Sequence, residues 1–379
     1  MQRCLPSLLH LERVKPGVPP NTGFFIVASY IPFRYLQRRS GRSLKDIEQQ
    51  DIKMKKTLFL LSIFFIPLFV SGKEKQKIIF DCDIGGDIDD AFAVALILNS
   101  PEFDVLGFVV DHGNTPLRAR TLCKLLYEAG KDSIPVFVGN PTPGIVGVDK
   151  EIAGRSNQFY WSDGFDKVAP SNMNAADFII SSLKKYPNEV VLFTVGPVCN
   201  IKEVMKKDKS ALKLAKQIVS MFGSFYMGYN GGPIPDAEWN VRADIEASKA
   251  FVAADAKKTF AGLDVTTFVK LNEANRNRLL MRQSPLTNAL CGLYSLWLYE
   301  SFANADPTLY DVVAVGYVLW PELFTSRKAN VHVNDAGYTM IDSTRPPNAE
   351  ILMTINKEEF MKRIMERYLK QDLEPNKQK

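Results

Sequence analysis

The sequence predicts one α/β domain with a mostly parallel central sheet flanked by helices. Three observations carry that reading. From Lys77 onward, short β-branched runs alternate with helical patterns. Apolar residues make up 46% of the 379 positions and charged residues 23%, enough for a large core and unlike a disordered or fibrous chain. No internal repeat or low-complexity segment interrupts the pattern.

Taken in order, residues 77–80 (KIIF) read as a strand, 89–99 as a helix, 105–111 (VLGFVVD) as a strand and 117–129 as a helix. The alternation continues with a strand at 134–138, a helix near 175–184, a strand at 189–195 (EVVLFTV) and a helix after Asn200. Further strands are expected at 218–225 and 259–265, and helices at 245–254 and 309–320. Strands alternating with helices imply parallel crossovers and a sheet covered on both faces. Such sheets bind ligands at the carboxyl ends of their strands, so chemistry is to be sought just after each apolar run. The charged tail after Leu369 is expected to fray.

The N-terminal part has a different character. Met54-Lys55-Lys56 precedes the apolar stretch 57–70 (TLFLLSIFFIPLFV), which is followed by Ser71-Gly72-Lys73. A cationic start, an apolar stretch too short to span a bilayer of about 30 Å, and small residues before a polar segment form a signal-peptide pattern. Residues 54–72 are therefore expected to be a signal peptide, with Met54 as the initiator and residues 1–53 as disordered, translated upstream sequence. Pro67 and the flanking lysines argue against a buried helix here. The expected product is exported, periplasmic or secreted, with no membrane span left after cleavage, and the domain occupies 73–379.

Charge and composition exclude several classes. A formal charge of +5 is small for this length, and the basic residues are interspersed with acidic ones, so no nucleic-acid partner is expected. Of the five cysteines, Cys4 lies in the leader, and Cys82, Cys123, Cys199 and Cys291 are too widely spaced for a disulfide scaffold. Three histidines (His10, His112, His332) argue against a multi-histidine metal site.

Directly after the first strand comes Asp81-Cys82-Asp83-Ile84-Gly85-Gly86-Asp87-Ile88-Asp89-Asp90, with five carboxylates in ten residues. Neighbouring carboxylates do not all ionise cheaply, and a bound hard cation is the simplest remedy. Calcium suits an Asp-rich loop with glycines at its turns better than zinc does. A solvated acidic loop with Asp89 capping the helix is the plainer alternative, and the distant blocks decide between them.

With those blocks the sequence resembles the inosine-uridine-preferring nucleoside hydrolase family. The first signature stands as Asp81-Cys82-Asp83, Gly85 and Asp89-Asp90-Ala91, in a loop about two residues longer than in the best-known members. The resemblance continues through Gly113-Asn114-Thr115, Gly196-Pro197-Val198-Cys199-Asn200, Ala237-Glu238-Trp239-Asn240 with Asp244, Gly262-Leu263-Asp264-Val265-Thr266, and Tyr310-Asp311. Six blocks in order, nearly all at a predicted strand end or helix start, are far more specific than one.

The resemblance implies a Rossmann-like nucleoside hydrolase fold and hydrolysis of the N-glycosidic bond of ribonucleosides to free base and ribose. It implies one calcium ion (Ca2+) held by Asp83, Asp90, the main-chain carbonyl of Val195 and Asp311, with Asp83 also the general base. It assigns Asp89 and Asn240 to the ribose hydroxyls, Glu238 to the 5'-hydroxyl and Asn230 to the 3'-hydroxyl, with Asn114 completing the ribose site. A homodimer or homotetramer is implied by analogy. Cleavage develops positive charge on the sugar, so carboxylates and fixed dipoles around the ribose favour the transition state over the ground state.

The departure from the family pattern is Tyr310, which stands where the well-known members have a histidine as leaving-group acid. A tyrosine titrates near ~10 and a histidine near ~6.5, so the exchange gives a poorer acid at neutrality. His112 is a conceivable substitute, although a histidine hydrogen-bonded in a loop is the plainer reading. Trp239 either stacks on the base or packs beneath the site. Phe222, Phe225, Tyr226 and Tyr229 are candidates for the base pocket, against a packing role, and His332 reads as a strand residue without one. Two rivals follow: an exported nucleoside- or ribose-binding protein that has lost turnover, and a dehalogenase-like phosphatase. Asp89-Asp90-Ala91 and Glu238-Trp239-Asn240 do not fit the latter.

Overall fold

The computed structural model describes residues 74–142, 156–300 and 306–370; the expected leader and the tail from 371 lie outside the described residues. The first half holds β1 (Gln76–Cys82), α1 (Asp89–Leu98), β2 (Phe103–Val110), α2 (Thr115–Glu128), β3 (Val136–Val138), α3 (Gln158–Trp161), β4 (Ser171–Asn174), α4 (Ala175–Lys185), β5 (Val191–Thr194) and α5 (Cys199–Lys207). Then come β6 (Gln217–Met221), α6 (Trp239–Ala243), α7 (Ile245–Ala253), β7 (Lys258–Ala261), α8 (Leu263–Thr266), α9 (Glu273–Arg282) and α10 (Pro285–Glu300). The chain closes with α11 (Tyr310–Leu319), β8 (Phe324–Ala329), β9 (Val331–Val333), β10 (Thr339–Ile341), β11 (Ala349–Ile355) and α12 (Lys357–Tyr368).

Nine strands form one sheet in the order β4-β3-β2-β1-β5-β6-β7-β11-β8, parallel except for the β11–β8 pair. The alternation of side chains along β1 shows why both faces are covered. Ile78, Phe80 and Cys82 enter one apolar cluster and Ile79 the other. The first cluster holds α1 and α11, whose apolar residues leave no polar face. On the opposite side α4, α5 and α7 supply Ile179, Ile201 and Phe251. This is the single α/β domain with a mostly parallel sheet that the alternation predicts. Among the described residues no helix is long and apolar enough to cross a membrane.

Two expected strands end early for a local reason. The run 218–225 stops at Met221 because Gly223 turns with φ 83°, and Phe222 and Phe225 are apolar for core packing, not for the sheet. The run 259–265 stops at Ala261, and Leu263 to Thr266 then form α8.

The strand order reverses at β1, with β2 on one side and β5 on the other. A crevice opens at that reversal, beyond the carboxyl ends of the strands. Asp83, Val195 and the loops after β2 and β6 all meet there.

Candidate active site

The crevice contains a cavity of about 310 Å³ lined by Asp83, Asp89, Asp90, His112, Val195, Glu238, Asn240, Tyr310 and Asp311, among others. Two helix starts aim at it. Asp89 and Asp90 form the first turn of α1, and Asp311 lies in the first turn of α11, where helix dipoles favour negative charge. The α11 start is tied directly to α1, since the amide of Asp311 donates to Asp89 Oδ2 at 3.2 Å. Asp90 Oδ1 in turn accepts from the amide of Asp83 at 3.2 Å.

Carboxylate oxygens of Asp89, Asp90 and Asp311 lie within 4.8 Å of one another, and all three residues are buried. Burial, and then the repulsion of neighbouring carboxylates, holds each of them well above the usual carboxylate range. Three such groups tolerate full ionisation only beside a cation. An all-oxygen set of this kind fits a hard divalent ion and is unlike a zinc site. The tight set includes Asp89, whereas the sequence resemblance puts Asp83 with Asp90 and Asp311. Asp83 lines the same cavity, with Oδ2 3.6 Å from Arg118 Nη2.

The expected sugar-binding residues divide. Glu238 caps α6: Oε1 accepts from the amide of Asn240 at 2.8 Å, and Oε2 from those of Gly223 and Val241 at 3.0 and 3.2 Å. Burial nevertheless pushes its carboxyl up to about 7 against those three donors. Asn240 Nδ2 donates to the carbonyls of Val195 at 2.6 Å and Met221 at 3.1 Å, joining the ends of β5 and β6. Asn114 and Asn230 are not among the cavity-lining residues. Asn114 Oδ1 caps α2 through the amide of Leu117 at 3.2 Å, and Asn230 is exposed.

Tyr310 lines the cavity with its ring edge-on to Tyr229, at 6.1 Å between centroids. Burial pushes its phenol up to about 12. His112 also lines the cavity, in the left-handed region with φ 58°, a conformation uncommon for a residue with a side chain. Burial holds its imidazole below the ordinary value, so it is neutral at neutral pH. Trp239 stands edge-on to it at 6.4 Å. Of the aromatic series, Tyr229 reaches the cavity, Phe222 and Phe225 are core, and Tyr226 is exposed. Cys82 and Cys199 are free and buried, and burial raises both thiols, as expected of small core residues.

Several site residues escape the sequence reading. Asp111, at the carboxyl end of β2, is buried, and its Oδ1 has no partner among the described residues. Gln158 Nε2 donates to the carbonyls of Gly86 at 2.8 Å and Asp87 at 3.0 Å, which pins the lengthened β1–α1 loop. Arg118 is buried within hydrogen-bond reach of two loops. The position after a strand was a usable signal for Asp111; Arg118 reads as a surface residue of the expected helix 117–129, and Gln158 falls where no element is expected. The remaining blocks have structural jobs. Asn200 donates to Asp81 Oδ1 at 2.9 Å, and Asp264 accepts from the amides of Phe225 and Tyr226 at 2.9 and 2.7 Å, shaping the loop after β6.

Comparison with known proteins identifies the family. Residues 78–362 match the family described as inosine-uridine preferring nucleoside hydrolase. Uridine nucleosidase 1 of Arabidopsis thaliana is 30% identical over 288 residues, covering 72% of this chain and 83% of that protein. The pyrimidine-specific ribonucleoside hydrolase RihA of Citrobacter koseri is 27% identical, covering 76% of this chain and 97% of that protein. A solved structure, the purine-preferring ribonucleoside hydrolase from Gardnerella vaginalis, has the same fold, with a TM-score of 0.67 at 23% identity over 78% of this chain and 98% of that one. With most of its length matched and its acidic crevice at the reversal of the sheet, the chain belongs to the inosine-uridine preferring nucleoside hydrolase family and is an N-ribohydrolase.

Proposed function

We propose that the protein hydrolyses ribonucleosides to free base and ribose with a calcium ion at the acidic centre and Asp83 as general base. The observation that carries this reading is the buried set Asp89, Asp90 and Asp311, opening on a cavity that also presents Asp83, Glu238 and Asn240. When bound, the ion supplies positive charge that makes a neighbouring water more acidic. Asp83, Asp90 and Asp311, with the Val195 carbonyl, are the groups that would hold it. Asp83 takes the proton of the attacking water. Asp89 and Asn240 grip the ribose hydroxyls and Glu238 its 5'-hydroxyl, so negative charge and fixed dipoles surround the sugar as it becomes cationic. Tyr310, whose phenol keeps its proton at neutral pH, donates a hydrogen bond to the departing base without transferring the proton outright. The positions of Asn114 and Asn230 lend no support to the sugar contacts expected of them.

Release of free base from a panel of purine and pyrimidine ribonucleosides, with and without chelator, tests the proposal. Asp83→Asn is expected to lower kcat by about 10²- to 10⁴-fold while the protein stays folded. Activity unchanged by chelator or by that substitution would reject it. Tyr310 favours one second reading, a nucleoside-binding protein without turnover. Calorimetric binding of ribonucleosides with no base released over hours would establish that instead.

Export is the second part of the proposal: residues 54–72 act as a signal peptide and the working enzyme is periplasmic or secreted. The cationic start and the short apolar stretch support it. N-terminal sequencing of the protein recovered outside the cytoplasm is expected to begin near Lys73, and light scattering on the same material tests for a homodimer or homotetramer.

A further inference from the structure

Arg118 places a permanent positive charge in a centre otherwise built from carboxylates. It leaves the first turns of α2, is 3% exposed, and lines the cavity. Its Nε donates to the carbonyl of His112 at 2.8 Å and its Nη1 to that of Ile84 at 2.9 Å. Nη2 lies 3.6 Å from Asp83 Oδ2. One rigid planar fork therefore ties the loop after β1, the loop after β2 and one carboxylate together. A guanidinium does not lose its proton in a protein, so the charge is present at every working pH.

Asp83 is constrained on its other side as well. A side chain on Gly196 would come within 2.9 Å of Asp83 Oδ1 and 2.6 Å of Asp111 Oδ1, so that backbone closes one flank of the carboxylate. Arg118 closes the other. The same Arg118 charge is felt by Asp90, a member of the cation-binding set, and by Asp111. A divalent ion arriving at the acidic centre thus meets a like charge already in place.

We propose that Arg118 is an internal counter-cation and a positioning residue, holding the Asp83 carboxylate at the cavity wall for turnover while opposing the divalent ion. The turnover half rests on the hydrolase reading; the ion half does not. The two halves give opposite signs on one substitution. Loss of the charge tightens the ion, and loss of the fork slows the reaction. A residue that only cross-links two loops would, when removed, loosen the site and weaken both.

The test uses the full chain with Arg118→Gln and Arg118→Lys, reading the Ca2+ dissociation constant by calorimetry and kcat and KM for base release from uridine and inosine. Arg118→Gln is expected to bind Ca2+ about tenfold more tightly, because a like charge has left a partly desolvated site. Its kcat is expected to fall about tenfold with KM within about twofold, the mark of a contribution made in the transition state. Arg118→Lys keeps the charge and loses the fork, so its Ca2+ affinity stays within about threefold of the unsubstituted protein while kcat still falls. In an Asp83→Asn background, Arg118→Gln adds no further loss of kcat, since it acts through that carboxylate.

Weaker Ca2+ binding in Arg118→Gln, an equal loss of kcat in both backgrounds, or no Ca2+ binding by the unsubstituted chain would overturn the assignment. So would loss of the folded far-ultraviolet circular dichroism signal in both variants, which would make Arg118 a structural residue. If the unsubstituted chain binds Ca2+ but releases no base, the hydrolase reading fails and the direction of the Ca2+ shift still decides the role of Arg118.

Discussion

Tyr310 and Glu238 face the same cavity, and each has its proton held more tightly than usual by burial. With the Tyr310 phenol pushed up to about 12, the role proposed for it is a hydrogen bond to the departing base and not proton transfer. Tyr310→Phe is therefore expected to reduce kcat by less than about fivefold, the worth of one ordinary hydrogen bond. Tyr310→His, which restores a group titrating near neutrality, is expected to raise kcat for the more demanding bases about tenfold, read by single-turnover base release. Glu238 makes a prediction in pH. Its folded carboxyl titrates at about 7 and its unfolded one near ~4.3, so its contribution to stability is fully present below ~4.3 and is lost as pH rises through about 7. The loss across that window is roughly 3 kcal/mol. The stability of the native chain relative to Glu238→Gln should fall by that order between pH 5 and pH 8 in urea unfolding, whatever the offset between the two curves. A level difference would show that the buried carboxyl is not shifted.

At the scale of elements, α11 matters most, because it carries both Tyr310 and Asp311 and its position sets the acidic centre. It packs on α12 at Gly316, where an added methyl would overlap the Phe360 ring. Gly316→Ala is expected to cost about 1–3 kcal/mol through overpacking and to weaken cation binding as α11 shifts, seen together by thermal unfolding and calorimetry. The elements that sequence alone revealed are those with a dense apolar signal. β1, β5 and the second half of β2 are apolar runs buried on both faces, and α1 and α11 are apolar beyond their acidic first turns. The periodicity failed for α9, where only Leu279 is buried, and for β8, whose middle residues are exposed at the sheet edge. A strand or helix that gives few side chains to a core leaves little pattern to read. Asp83, Asp90, Val195, Glu238, Asn240 and Asp311 were picked out by the family resemblance, and all six line one cavity, each just after a strand or at a helix start. Arg118 was not, because an arginine in a helix reads as surface until the fold turns it inward.

Across the whole molecule, the cation proposed for the acidic centre would couple binding to stability. An ion that binds the folded chain alone stabilises it by about 2.7 kcal/mol when present at a hundredfold its dissociation constant. Chelator is expected to lower Tm by several degrees and Ca2+ to restore it, with the restoration reduced in Asp311→Asn because a member of the buried set loses its charge. A Tm insensitive to both additions would overturn cation binding at the centre.

The tie between Asp89 and Asp311 spans 222 positions of the chain. During synthesis the early aspartates leave the ribosome long before α11 exists, so the nascent polypeptide has nowhere to retain a metal until nearly all of the domain has emerged. Loading of the proposed calcium would then be a finishing step of biogenesis. With the proposed calcium and the proposed export, the ion would be taken up in the compartment where the completed chain folds.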